Sequence, residues 1–348
     1  MVTTESIVPE SPDPGLDYDL IYASTALTKK LNADGSVDKY KVRIPVCGNQ
    51  LKAKYDYDNP TYSPTVSMLT HMALLQLSIY DGMHMATFDT VAAYLHQKYP
   101  DELKPLYLKF PKPLAEACGI DPQQLYRIKK YLYGLPDAGR AYYLAYSNVL
   151  VESGYTKSMS DPCLFTYINA ETGIRTYAWI HLDDTFVSST HESELKRFQD
   201  LIGAAFPITA KYDVGSHLCV SMEINPDGSI TLSQPKLLQQ LIEEYPLPTR
   251  KSKYPAASRR DYNSIADDIN KLEEVEEDGF KYMRLLGQLN YVTISRPDIL
   301  PAVSYAARKV KNSNEKDYQN LLQIVAYLRQ TSDYGLTLNP RRKVDGDS

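Results

Sequence analysis

The stretch TYAWIHLDDTFVSST, residues 176–190, constrains this chain more than any other. Its two arms are rich in aromatic and β-branched residues, the composition of paired strands, and they meet at Asp183 and Asp184. Such a stretch is expected to form an antiparallel hairpin within a sheet. Adjacent carboxylates in that setting do little for folding, because a buried anion costs several kcal/mol unless a cation balances it. A bland alternative stays open at this level: the pair is the exposed tip of a turn, where Asp is common.

Around this hairpin the other signals alternate between helix and strand. YSPTVSMLTHMALLQLSIYDGM carries apolar residues at helical spacing and stops at Asp81-Gly82, and HMATFD after it reads as a short strand ending on a third carboxylate, Asp89. YYLAYSNVLVESG predicts a helix ending at Gly154, and ESELKRFQDLIGAAF a helix with Leu195, Phe198, Leu201, Ile202 and Phe206 on one face. Asp34-Gly35 and Asp227-Gly228 mark two further hairpins. Residues 280–331 read as helices divided at Arg296-Pro297-Asp298. Strands covered by helices give an α+β expectation. Residues 1–20, rich in Pro, Ser, Thr and acids, are expected to be a flexible lead-in.

Charge limits the function classes. The net charge is −5, which at first argues against a nucleic-acid binder, but DDINKLEEVEED (267–278) carries −6 of it and leaves the rest of the chain at +1. Any nucleic-acid surface must therefore be a local groove. The four cysteines, Cys47, Cys118, Cys163 and Cys219, show no metal-ligand spacing and are expected as free thiols, with no zinc site. No apolar run is long enough to span a membrane and the N-terminus lacks signal-peptide features, so the expected location is intracellular, without a membrane partner.

Three carboxylates on neighbouring strands would suit Mg²⁺, which takes oxygen ligands and keeps positions open for water and phosphates. The neighbouring motifs sharpen this. In order, KKLNADGSVDKYKVR, FDTVAAYL, LYGLPDAGRAYY, SDPCLF, HLDD, SQPKLLQQLI, YMRLLGQLNYVTISRPDI and VAYLRQTSDYGLTL cover the chain from about residue 22 to residue 338. This colinear series resembles the reverse transcriptase of copia-type LTR retrotransposons, the polymerase region of a Pol polyprotein.

The resemblance implies a right-hand polymerase with fingers and palm over 21–215, primer grip and thumb over 216–260, an acidic linker over 261–279, and a helical thumb and connection region over 280–348, without RNase H. It assigns Asp89, Asp183 and Asp184 as the catalytic, metal-binding triad for Mg²⁺ or Mn²⁺. Arg43 and Lys30 would neutralise the triphosphate, with a solvated hairpin face as their alternative. Tyr94, in the pattern Asp-x-x-x-Ala-Tyr, would lie under the sugar and exclude a 2′-hydroxyl, with a core tyrosine as its alternative. Asp137 falls in the nucleotide pocket, and Ser221 with Met222 in the primer grip. Implied partners are an RNA or DNA template with a DNA primer, deoxynucleoside triphosphates and the remainder of a Pol polyprotein, in a cytoplasmic virus-like particle or the nucleus. Three departures stand out: Asp137 where the family has Gln, His181 and Leu182 before the aspartates, and Ser221 where the family has Gly. They leave open a second function, a decayed nucleic-acid-binding remnant.

Overall fold

A computed structural model describes residues 5–31, 37–51, 61–218, 220–245 and 278–340. The chain divides into two compact units, one formed by Met1–Ser78 and Met83–Tyr212, the other by Ile79–Gly82 and Asp213–Ser348. The expected acidic linker falls almost wholly outside the described residues, although Asp278 and Gly279 at its end belong to a helix.

In the first unit β1 (Ile7–Pro9) and β2 (Asp19–Tyr22) join β6 (Leu106–Lys109) and β7 (Leu125–Ile128) in a four-stranded sheet of order β1-β7-β6-β2. This corrects the flexible lead-in. Backbone pairing of Ile7 with Ile128 and the Glu10–Arg127 ion pair order a segment whose composition alone reads as disorder. β3 (Ala26–Leu31) and β4 (Val37–Arg43) form a separate two-stranded ribbon, the expected first hairpin; its Asp34-Gly35 turn lies outside the described residues.

The hairpin at 176–190 sits at the centre of an antiparallel sheet. Its strands are β5 (His84–Thr90), β8 (Thr156–Lys157), β9 (Leu164–Asn169), β10 (Ile174–His181), β11 (Asp184–Ser189) and β12 (Ile208–Lys211), in the order β12-β5-β11-β10-β9-β8. Phe165, Trp179, Phe186 and Val187 are wholly buried, so these central strands are covered on both faces. α1 (Met68–Tyr80) brings His71 against Trp179, whose indole N–H donates to His71 Nδ1 at 2.9 Å. α3 (Ala138–Glu152) and α4 (Glu192–Ala205) supply further cover: Phe198 packs on Phe88 at 5.0 Å between ring centroids, and Phe206 stacks on Tyr146 at 5.6 Å. Of the face expected on α4, Leu195, Phe198 and Ile202 are buried, as is Phe206 just beyond it, while Leu201 is only partly covered. Two tyrosine hydroxyls among these aromatics are paired, while that of Tyr155, beside Phe198, has no hydrogen-bond partner among the described residues. Tyr142 donates to Thr90 Oγ1 at 2.8 Å, and Tyr146 pairs with Thr185 Oγ1 at 2.9 Å.

The second unit contains a sheet of order β13-β14-β15-β16, from β13 (Ser216–His217), β14 (Val220–Ile224), β15 (Ile230–Ser233) and β16 (Leu336–Leu338). The Asp227-Gly228 turn joins β14 to β15, with Gly228 at φ +80°. Its helices are α5 (Pro235–Glu244), α6 (Asp278–Val292), α7 (Leu300–Ala307) and α8 (Glu315–Gln330), which share a core including Leu241, Leu285, Leu289, Ile299, Leu321 and Leu328. The Arg296-Pro297-Asp298 break is more than a stop signal. Arg296, 1% exposed, bonds Asp298 through Nε at 2.9 Å and a terminal nitrogen at 2.7 Å, and its other terminal nitrogen donates to the Thr331 carbonyl at 2.7 Å. That guanidinium ties the start of α7 to the end of α8.

Candidate active site

The site is built from the ends of two neighbouring strands. Residues His181 and Asp184 face one another in register, so Leu182 and Asp183 form a two-residue turn between β10 and β11. Leu182 sits at φ +57°, a left-handed conformation that costs a non-glycine residue about 1–2 kcal/mol. The turn is fastened sideways: Thr90 N–H donates to the Asp183 carbonyl at 2.9 Å. On the adjoining strand Asp89 is the register partner of Asp184. Directly opposed residues on an antiparallel pair bring their Cβ atoms to about 5 Å, which puts two carboxyl groups in reach of each other.

Those carboxyls do meet. The two side chains are within hydrogen-bonding reach, and the Asp184 pKa is pushed up to about 6, first by burial, then by the charges of Asp183 and Asp89. Asp89, exposed to solvent, is raised as well, by burial of its carboxyl and by Asp183. The exposed-tip reading therefore fails for the pair. In this turn the outermost side chain is Leu182, while Asp183 and Asp184 are both partly buried.

Two lysines offset the negative charge, and sequence reasoning missed both. Lys41 on β4 and Lys211 on β12 each lower the pKa of Asp89, and Lys211 lowers that of Asp184. Lys41 had a signal: with Lys39 and Arg43 it alternates along one side of β4. Lys211 had none, because only the pairing of β12 with β5, Thr209 against Asp89, carries it to the site. Arg43 is exposed at the end of β4, and its charge reaches the Tyr133 phenol. Lys30 pairs with Lys39 through the backbone, and its side chain lies outside the described residues.

Tyr94 stands in a 3-10 turn, Ala93–His96, entered through Ala92 at φ +54°. It is partly buried, packs against the core cluster that includes Leu132, Leu135 and Ala138, and has its pKa raised by burial and by Asp183, so it lies between the core and the carboxylates. Its ring lies 4.7 Å from that of Tyr133 and 6.2 Å from that of Tyr142. Asp137 begins α3 and accepts a hydrogen bond from the Tyr131 hydroxyl at 3.2 Å. His181 has its pKa lowered by burial, against the opposing pull of Asp183, and its Nδ1 is buried with no hydrogen-bond partner among the described residues. Ser221 and Met222 lie in the second unit on β14, opposite Ser233 and Leu232. Met222 is buried and its N–H donates to the Gly215 carbonyl at 2.9 Å, so only Ser221 of the two retains partial exposure.

The donor set suits a hard divalent cation, since two opposed carboxyls whose ionisation is disfavoured by burial and by neighbouring negative charge would be relieved by a cation between them. Among the described residues no three His, Cys, Asp or Glu side chains converge into a ready-made metal cluster. Asp89 and Asp184 are the pair brought together, and Asp183 acts on both through its charge. No described helix is long and apolar enough to cross a membrane. Cys47, Cys118 and Cys163 are free thiols, and Cys219 lies outside the described residues.

The family model "Reverse transcriptase (RNA-dependent DNA polymerase)" matches residues 18–257. The retrovirus-related Pol polyprotein from transposon RE2 of Arabidopsis thaliana is 24% identical over 327 residues, covering 94% of this chain and 22% of that protein. The corresponding polyprotein from transposon TNT 1-94 of Nicotiana tabacum is 24% identical over 316 residues, covering 87% of this chain and 23% of that one. A foamy viral protease-reverse transcriptase, solved in complex with double-stranded DNA, aligns with a TM-score of 0.47 at 10% identity, over 98% of this chain and 47% of its own. The chain thus spans about a fifth of the length of the curated relatives it matches.

Proposed function

The chain belongs to the reverse transcriptase family of copia-type retrotransposons, and from that premise we propose that it is an RNA- and DNA-directed DNA polymerase joining deoxynucleotides to a primer 3′-hydroxyl by two-metal nucleotidyl transfer. The observation that carries this reading is the register pairing of Asp89 with Asp184, with Asp183 in the adjoining turn. Folding gains nothing from opposing two carboxylates; a cation-dependent reaction requires it.

Asp89 and Asp184 would hold Mg²⁺ or Mn²⁺, with Asp183 adding negative charge beside them. A divalent cation there supplies the positive charge that eases ionisation of the 3′-hydroxyl and stabilises the leaving pyrophosphate oxygen. The protein's own part is placement. Lys41 and Arg43, on one side of β4, oppose the negative charge of a triphosphate. Tyr94 would lie beneath the sugar, where a flat ring leaves no room for a 2′-hydroxyl. Ser221 would meet the primer backbone. A Pol polyprotein context is part of this proposal, as is a location in a cytoplasmic particle or the nucleus.

Primer extension on a defined RNA template, with Mg²⁺ or Mn²⁺, tests it. The unaltered chain should extend the primer, and a double variant Asp183→Asn, Asp184→Asn should not. Equal extension by both would refute the carboxylate assignment. Duplex binding without extension by either would make the chain a binding remnant.

A further inference from the structure

The alignment of motifs assigns a role to Tyr94 but none to the residue that sets its angle. A 3-10 turn of four residues cannot do so, because it fixes the backbone of Tyr94 and leaves the ring free to turn about its side-chain bonds. The ring instead packs against two others. Tyr142, fully buried, is anchored through its hydroxyl on Thr90 and meets Tyr94 edge-on, at 72° between planes. Tyr133 lies closer, 4.7 Å between centroids at 54°, on the half-exposed side.

Tyr133 owes its fixity to its backbone. Its carbonyl accepts a hydrogen bond from Val46 N–H at 2.7 Å. Gly134 follows at φ +99°, and a Cβ there would stand 2.1 Å from the Val46 carbonyl oxygen. A Cβ on Gly48 would stand 2.0 Å from the Gly134 carbonyl oxygen. Two loops thus cross in direct backbone contact, which only glycine at both positions permits, and Tyr133 rides on the crossing. Burial raises the pKa of its phenol, Asp183 and Asp89 raise it further, and Arg43 opposes them, so it lies within reach of charges of both signs.

We propose that Tyr133 is the positioning residue that holds the Tyr94 ring at the angle from which deoxy- and ribonucleotides are told apart. The proposal rests on the polymerase reading and on Tyr94 lying under the sugar. Loss of the Tyr133 ring removes the nearer of the two aromatic neighbours of Tyr94, so that ring can swing away from a 2′-hydroxyl. Phe at 133 keeps the flat face and therefore the brace.

The test is equilibrium binding of the complementary dNTP and rNTP to the full chain, carrying a dideoxy-terminated primer-template and a divalent cation, so that no turnover is needed. Tyr133→Leu should narrow the rNTP-to-dNTP ratio of Kd values about two- to tenfold, the range an aromatic pair is worth. Tyr133→Phe should leave that ratio unchanged. Thermal unfolding identifies a Leu variant that fails to fold, in which case Tyr133→Met, equally non-planar but more adaptable, decides the case. An unchanged ratio in the non-aromatic variant, alongside a narrowed one in Tyr94→Leu, overturns the role of Tyr133 and leaves the polymerase reading standing. An unchanged ratio in Tyr94→Leu overturns the placement of Tyr94 under the sugar together with the role of Tyr133, and no nucleotide binding by the unaltered chain overturns the polymerase reading as well.

Discussion

Replacing Asp184 by Asn should stabilise the metal-free protein at neutral pH. An Asp184 carboxyl whose pKa rises from 3.8 to about 6 on folding is penalised when ionised. At about 1.36 kcal/mol per pH unit the ceiling is about 3 kcal/mol, and solvent screening in this half-open position brings it down to about 1 kcal/mol. The sign follows from proton binding: between pH 3.8 and about 6 the folded state holds a proton that the unfolded chain releases, so stability is highest below that window and is lost as pH rises through it. Asn keeps a donor for Asp89 and has no charge to lose. Thermal unfolding in chelator should therefore show the Asn variant higher by about 2–4 °C at pH 7, with the gap closing by pH 4. Adding Mg²⁺ or Mn²⁺ should raise the unaltered protein and not the variant, because binding to the folded state alone is stabilising. A variant that melts lower at pH 7, or a gap that does not shrink on acidification, would refute the assignment of strain to the opposed carboxyls.

Gly134→Ala should destabilise by at least about 2 kcal/mol, combining a positive φ with a backbone collision, as read by denaturant unfolding. Leu182→Gly should stabilise the turn by up to about 1 kcal/mol in the same assay, or at least cost nothing, since glycine removes the left-handed penalty at φ +57°. Arg296→Lys should cost about 2 kcal/mol, because one ammonium cannot reproduce the paired bonds to Asp298 together with the Thr331 contact; calorimetry on the full chain would measure it.

What the sequence disclosed, and what it hid, divides along the distance between partners. Periodicity and turn chemistry are local, so α1, α3, α4 and the Asp227-Gly228 hairpin were legible, as was the central hairpin carrying Asp183 and Asp184. The ordering of β1 and β2 was not, because it comes from backbone pairing with the distant strands β7 and β6, and not from their own composition. Lys211 and Tyr133 belong to the same class. Lys211 carries no pattern of its own, and Tyr133, though inside the LYGLPDAGRAYY motif, is not singled out by it; each reaches the site through a pairing or a loop crossing that no window of neighbouring residues contains. Asp89 was legible only through its motif, and its register opposite Asp184 is what gives that motif a physical meaning.

The Asp137 departure can be argued on the same footing. A carboxylate replacing an amide in a nucleotide pocket would repel a triphosphate if its charge faced the phosphates. Here it faces a pair of tyrosines. Tyr131 donates to it at 3.2 Å, and the charge helps push the Tyr131 phenol upward and that of Tyr99 up to about 12, with burial the larger cause for both. Both phenols therefore stay protonated throughout the neutral range. Asp137 is not among the charges that raise Asp89 or Asp184, so the field at the carboxylates comes from Asp183 and the pair itself. Asp137→Gln, which restores the family residue, should then change nucleotide affinity by less than about threefold, the effect of a distant and screened charge. A tenfold or larger gain in dNTP affinity would mean that Asp137 turns toward the phosphates when nucleotide binds, and that the Tyr131 bond is a resting arrangement.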